Sequence, residues 1–169
     1  DEVDNDLNPL GIVGDAVRRG FHHTTGFIGT ALILPALAER GYADLAWRML
    51  SSEEYPSLGY MLKQGATTVW ERWNTDKEGP AMNSHNHFAL GSMVQWCYEG
   101  LAGVRPDAGR PGFKHFVVEP QLVGNVRWVR IEYPSPYGLI RCEWSRERAD
   151  LKLSLTVPPN TTATLSLPT

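Results

Sequence analysis

The sequence predicts a helical N-terminal part followed by an antiparallel β-sandwich. Up to about Gly103 the apolar residues recur with helical spacing, whereas beyond Phe113 they fall into short runs in which apolar and polar residues alternate. Turns rich in proline and glycine separate these runs. Strands of this kind bury their apolar faces by packing as two layers, so we expect a sandwich after the helices.

Three helices are predicted in the first part. Residues 29–40 are almost wholly apolar and are followed by Gly41, which is typical of a helix buried on most sides. Residues 42–51 have one apolar face and follow after a very short link, so the two helices should form a hairpin. A third helix is expected over residues 87–102, with Gly103 as its stop. Such helices cannot cover one another on all sides, so we expect an arc of a larger helical array.

Five strands are predicted in the second part, over residues 115–119, 126–133, 138–144, 151–157 and 161–167. Alternation is clearest over residues 151–157, where every second residue is apolar. Turns are expected at residues 134–138 and 158–160, which contain two prolines each. The two cysteines, Cys97 and Cys142, are expected to be buried thiols because they are far apart and neither belongs to a Cys-x-x-Cys pair.

Composition excludes several classes of partner. The net charge is −3 with the signs interspersed, so we expect no nucleic acid partner and no membrane partner. The longest apolar stretch, residues 27–37, is too short to span a bilayer. The acidic first residues lack the layout of a signal peptide. The compartment stays open, either cytoplasmic or secreted and periplasmic, depending on an N-terminal region that we expect to be missing.

Chemistry is expected between residues 55 and 86, a stretch rich in glycine and aromatic residues with little regular periodicity. Within it, Glu71 lies between Trp70 and Trp73. A carboxylate among indoles suits sugar chemistry, since aromatic faces stack on a pyranose while the carboxylate handles a proton. The alternative is a surface ion pair of Glu71 with Arg72 or with a lysine, and then the tryptophans would serve as core.

Two histidines lie at the end of this stretch, His85 within it and His87 directly after it. Their spacing differs from that of the two histidines in a His-Glu-x-x-His zinc helix and no motif supplies a third ligand, so we expect no metal and no cofactor. His87 stands at the start of the third predicted helix, after Asn86 as the expected N-cap. It is interpreted either as a neutral hydrogen-bonding group that faces a cleft or as a capping residue.

Several segments in order resemble one known family. The segments are His23–Thr30, Tyr55–Met61, Gly65–Trp73, Met82–Phe88, Gly112–Pro120, Ser135–Gly138 and Val157–Ala163. In sequence and spacing they resemble the C-terminal half of the α-L-rhamnosidases of glycoside hydrolase family 78, from about Gly20 onward. His85 departs from the pattern, because many members have an aromatic residue at this position.

The resemblance implies a fold and a set of roles. Residues 1–108 would be the C-terminal portion of an (α/α)6 barrel, and residues 109–169 a β-sandwich. The implied reaction is the hydrolysis of terminal α-L-rhamnosyl residues with inversion, with Glu71 as the general base. His87 would contact the rhamnose, and Trp70 and Trp73 are further substrate-binding candidates.

Inversion needs two carboxyl groups, and the family's general acid lies upstream of any segment matched here. We therefore expect this chain to be the C-terminal part of a longer enzyme, with little or no activity alone. Its partners would be a rhamnose-containing glycoside or polysaccharide and the remainder of the barrel, in the same chain or a second fragment. An isolated chain is expected to form homodimers or to aggregate.

Two alternatives to a rhamnosidase fragment stay open. One is a non-catalytic carbohydrate-binding or structural fragment, in which the sandwich contacts glycan. The other is a different inverting glycosidase on the same barrel that recognises glucuronyl or trehalose-type units. The residues 82–87 favour rhamnose, while the aglycone and the linkage stay open.

Overall fold

The structure, a computed structural model, describes residues 9–23, 25–78, 84–148 and 150–167. Residues 79–83, and with them the start of the Met82–Phe88 segment, lie outside the described residues. The chain divides into two compact units between Met93 and Val94. The predicted domain boundary after residue 108 stays a prediction.

The first unit is helical. Its α-helices are α1 (Pro9–Arg18), α2 (Phe27–Glu39), α3 (Ala43–Leu50), α4 (Leu58–Lys63) and α5 (Phe88–Gly91), with a 3-10 turn at Thr75–Lys77. Helices α2 and α3 form the predicted hairpin, whose buried side chains include Leu34 and Met49. Gly41 lies between them at a φ of 84°, a left-handed conformation that glycine adopts without strain.

The predicted third helix is confirmed over residues 88–101, which are helical throughout, but the geometry of the helix varies along it. After α5 the chain forms a 3-10 turn at Ser92–Val94 and a π-helical turn at Cys97–Leu101. At the first change of geometry, the Ser92 hydroxyl donates to the Ala89 carbonyl at 2.6 Å, a side-chain bond to the helix backbone. The N-cap also differs from expectation, since His87 and not Asn86 caps α5. Gly103 does end the segment, with a φ of 75°.

The second unit is a sandwich of two three-stranded sheets. One sheet has the order β1 (Val104–Pro106), β2 (His115–Val118), β6 (Thr162–Leu165); the other has β3 (Trp128–Ser135), β4 (Gly138–Glu147), β5 (Asp150–Thr156). All five predicted strands are confirmed, and the short strand β1 was not predicted. Every pairing among these strands is antiparallel except that of β2 with β6, which is parallel.

The core of the second unit lies between these sheets and includes Phe116, Val118 and Ile140, all fully buried. Trp144 is also fully buried, and its indole Nε1 donates to the Leu101 carbonyl at 2.8 Å. Both cysteines are free thiols: Cys142 is fully buried, and burial raises its pKa to about 11, whereas Cys97 is half-buried. No helix in the described part of the chain has the length and apolarity needed to cross a membrane.

Candidate active site

Glu71 lies where two irregular segments, residues 68–71 and 84–87, are joined by hydrogen bonds without forming regular strands. The backbone N–H of Glu71 donates to the Ser84 carbonyl at 2.9 Å, and the N–H of His87 donates to the Val69 carbonyl at 2.8 Å. The Thr68 hydroxyl also donates to the His85 carbonyl. We call residues 68–71 and 84–87 the Glu71 hairpin. It contains three of the four predicted site residues, Trp70, Glu71 and His87.

The side chain of Glu71 is held by the same hairpin. The backbone N–H of Ser84 donates to its Oε2 at 2.7 Å, a length typical of a bond to a charged acceptor. Ser84 is itself fixed, because its hydroxyl donates to the Asn86 carbonyl at 3.0 Å and accepts from the Asn86 N–H at 3.1 Å. Among the described residues no Glu71–Arg72 ion pair is formed, and the Arg72 guanidinium instead lies 4.0 Å from the Glu78 carboxylate. Glu71 is thus half-buried, and its carboxylate is oriented by the Ser84 N–H.

His87 caps helix α5 through its ring. Its Nδ1 accepts a hydrogen bond from the Ala89 N–H at 3.2 Å, so in the neutral imidazole the proton is assigned to Nε2. The ring stacks on Phe27 at a centroid distance of 5.0 Å and on Phe88 at 5.1 Å. The interpretation of His87 as a capping residue is confirmed. Its contact with a sugar stays a prediction, and the Nε2–H is the group that would make it.

Most of the surface of Trp70 and part of that of Trp73 are taken up by contacts within the fold. Trp70 is only 5% exposed and packs against Met61 and Leu90 in a small apolar cluster. Trp73 stacks on His23 at 5.5 Å, and its Nε1 donates to the Thr25 carbonyl at 3.4 Å. These contacts agree with the alternative that the tryptophans serve as core. Substrate binding by either residue stays a prediction.

His23 is a further buried residue near the site, and the sequence analysis assigned it no role. The side chain is only 1% exposed, and its Nε2 lies 3.2 Å from the Met49 carbonyl. Burial lowers its pKa, the nearby His22 adds to this, and the Met49 carbonyl opposes it. Through its stack on Trp73 it links the residues before α2 to the chain beyond Glu71. The available signal was its position at the start of the His23–Thr30 segment.

A cleft of about 310 Å³ lies beside the Glu71 hairpin, and its lining includes His85, Asp76 and the small exposed part of Trp70. His85 is exposed there, 5.9 Å from the Trp70 ring, and the Tyr60 hydroxyl donates to Asp76 at 2.7 Å. The side chains that line the cleft carry hydroxyl, amide, carboxylate and imidazole groups. These groups can donate hydrogen bonds to, and accept them from, a hydroxyl-rich ligand. Among the residues that the structure describes, no three His, Cys, Asp or Glu side chains are grouped so that they could hold a metal ion.

Comparison with known proteins finds one family along most of the chain. Residues 12–101 match the bacterial α-L-rhamnosidase six-hairpin glycosidase domain, and residues 103–169 match the bacterial α-L-rhamnosidase C-terminal domain. An α-L-rhamnosidase of Streptomyces avermitilis is 38% identical over 155 residues, and one of Alteromonas sp. is 42% identical over 147 residues. These alignments cover 89% and 84% of this chain but only 15% and 16% of the relatives.

Solved structures give the same result. The structure of the S. avermitilis α-L-rhamnosidase complexed with L-rhamnose superposes with a TM-score of 0.84 at 38% identity, covering 90% of this chain and 15% of that one. Native α-L-rhamnosidase from Aspergillus terreus superposes with a TM-score of 0.86 at 33% identity, covering 92% and 18%. The chain therefore spans less than a fifth of the length of the relatives it matches.

Proposed function

Since the chain belongs to the bacterial α-L-rhamnosidase family, we propose that it forms the C-terminal part of a longer enzyme that hydrolyses terminal α-L-rhamnosyl residues with inversion. Its substrate would be a rhamnose-containing glycoside or polysaccharide. The family match favours this over a different inverting glycosidase on the same barrel. The remainder of the barrel would cover exposed apolar side chains such as Ile28 and Leu62, which otherwise drive self-association.

Glu71 acts as the general base in this proposal. The supporting observation is the bond from the Ser84 N–H to Oε2, because it sets the orientation of the carboxylate before a substrate arrives. Oε1 then takes a proton from a water molecule as the water attacks the anomeric carbon, and the glycosidic bond breaks on the opposite face. A general acid from the remainder of the barrel, about 6.5–9.5 Å from Glu71, protonates the leaving oxygen.

His87 acts beside the base as a hydrogen-bond donor. Because Nδ1 is occupied by the Ala89 N–H, the ring offers its Nε2–H and not a lone pair. A sugar hydroxyl can accept this bond. The backbone bond from His87 to Val69, two residues before Glu71, sets the distance between donor and base. The Glu71 hairpin therefore positions both groups through its own backbone.

The test replaces Glu71 with glutamine in the protein that carries the whole barrel. The glutamine side chain would still accept the Ser84 N–H, so the fold is retained, but an amide does not take a proton from water. We expect turnover of an aryl α-L-rhamnoside to fall by about 10²–10⁴-fold, the contribution of a general base, with binding of L-rhamnose kept.

The matched control is Glu53→Gln, because Glu53 is an exposed carboxylate paired only with Lys63 among the described residues. It should leave turnover unchanged.

A second experiment adds azide to a Glu71→Gly variant. Azide should restore turnover and give the inverted glycosyl azide, since a small anion replaces the activated water. Full activity of Glu71→Gln, or rescue that yields a retained product, would overturn the assignment.

A further inference from the structure

The second unit contains a cavity of about 390 Å³ between the edge strands of its two sheets. Val104 and Pro106 of β1 line it from one sheet, and Tyr133 of β3 lines it from the other. Tyr98, in the π-helical turn Cys97–Leu101, is a further part of the wall. The described residues that line the cavity all belong to the second unit. Its volume is within the range of pockets that bind small ligands.

Three aromatic rings line this cavity, those of Tyr98, Phe113 and Tyr133. The ring centroids of Phe113 and Tyr133 lie 4.5 Å apart, so the two rings form one continuous apolar wall. Phe113 holds its ring there at a φ of 64°, a left-handed conformation that bulky residues rarely adopt. Tyr98 is presented by a π-helical turn, and such turns are frequent at functional sites. Two departures from regular backbone geometry therefore place aromatic rings at the same cavity.

Hydrogen-bonding groups lie beside the three rings. Gln95 and Glu99 line the same cavity, and the Gln95 amide donates to Glu99 Oε1 at 2.9 Å. This bond orients the carboxylate and leaves its Oε2 and the Gln95 carbonyl as acceptors. In the described part of the chain the hydroxyls of Tyr98 and Tyr133 make no hydrogen bond, so they can donate and accept. A ligand with hydroxyl groups matches both kinds of group, whereas a cation offers no acceptor.

We propose that this cavity is a non-catalytic carbohydrate-binding site that holds a sugar unit of a rhamnose-containing polysaccharide. The choice of polysaccharide rests on the proposed function. The apolar face of a pyranose packs against an aromatic ring, while its hydroxyls bond to Glu99 and Gln95. A polymer held by the second unit raises the effective concentration of its chain ends at Glu71, because the two sites belong to one molecule.

The experiment compares kcat/KM on gum arabic, a polysaccharide with terminal α-L-rhamnosyl residues, with kcat/KM on an aryl α-L-rhamnoside in the protein that carries the whole barrel. Tyr98→Ala should lower the value on gum arabic about tenfold, the contribution of one aromatic contact, and leave the value on the aryl substrate unchanged. Tyr98→Phe keeps the ring and should lose less. The matched control is Trp128→Ala, which removes an exposed aromatic side chain on the outer face of the same unit and should change neither value.

Binding is measured apart from turnover by electrophoresis of Glu71→Gln through gels that contain gum arabic. The polysaccharide should retard this protein, less so when Tyr98→Ala is added and equally when Trp128→Ala is added. If Tyr98→Ala lowers both kcat/KM values equally, or leaves the retardation unchanged, the inference is wrong. If the unaltered protein hydrolyses neither substrate but its retardation depends on Tyr98, the proposed function fails while the binding site is supported.

Discussion

Two substitutions of His87, by asparagine and by glutamine, distinguish the role of Nδ1 from the role of Nε2. Asparagine places an acceptor near the position of Nδ1 and should keep the cap on the Ala89 N–H, but it has no donor at the position of Nε2. Glutamine reaches the position of Nε2 with its amide N–H and is a poor N-cap. Both variants lose the stacking on Phe27 and Phe88, so that loss cancels when they are compared with each other.

The magnitudes follow from these two hydrogen bonds. An N-cap contributes about 1 kcal/mol, so His87→Gln should be less stable than His87→Asn by about that amount. A hydrogen bond to the sugar contributes about 0.5–1.5 kcal/mol, so His87→Asn should lose up to about tenfold in kcat/KM. His87→Gln should keep more of its activity than His87→Asn despite being less stable.

Each variant is made in the protein that carries the whole barrel. Its stability is measured by urea unfolding and its kcat/KM from initial rates on an aryl α-L-rhamnoside. Opposite rank orders in stability and in kcat/KM would support the assignment of the proton to Nε2. Equal stability of the two variants would mean that the cap on α5 is not made through the ring. Full kcat/KM in His87→Asn would mean that the Nε2–H does not contact the substrate.

Two further predictions concern stability. Trp144→Phe should lower the free energy of unfolding by about 1–3 kcal/mol, because it leaves the Leu101 carbonyl unpaired in the core. The control is Trp128→Phe, since Trp128 lies on the outer face of the same sheet and is 65% exposed; it should change the free energy of unfolding by less than about 0.5 kcal/mol. Equal changes for the two variants in urea unfolding would refute the reasoning. Burial lowers the pKa of His23, so the unfolded chain binds a proton more readily than the folded chain does. The contribution of neutral His23 to stability should therefore be fully present above the unfolded pKa of about 6.5. As the pH falls below that value, the free energy of unfolding should decrease by up to about 1.4 kcal/mol per pH unit. His23→Gln should remove this part of the acid sensitivity, and an unchanged pH profile of thermal unfolding would contradict it.

The spacing of apolar residues in the sequence predicted the elements whose conformation depends mainly on their own residues. The α2–α3 hairpin and five strands follow from apolar spacing and from Gly41, because burial of one face and a left-handed turn are local requirements. The third helix follows from the same spacing, but along residues 88–101 it changes from α to 3-10 and later to π geometry. The Ser92 hydroxyl bonds a helical carbonyl at the first change, and a count of apolar positions does not register such a bond.

The site was predicted in part. Glu71 and His87 were found from their aromatic setting and the family pattern, and the structure brings both onto one hairpin. The partners that orient them were not found. Ser84 acts through its backbone N–H, which every residue except proline carries, so no residue type marks it. Phe27 contacts His87 from a position far away in the sequence, and spacing within a segment does not show such a contact.

The sequence by itself determined the succession of helices and strands, the family and the carboxylate on which the proposed chemistry depends. Only the tertiary structure decided which aromatic residues are core and which face solvent: Trp70 is buried beside Glu71, while Phe88 is exposed beside His87. Both residue types are large and aromatic, and burial depends on which elements meet across the fold. It also decided the tautomer of His87, because the Ala89 N–H that occupies Nδ1 is in place only when α5 has formed.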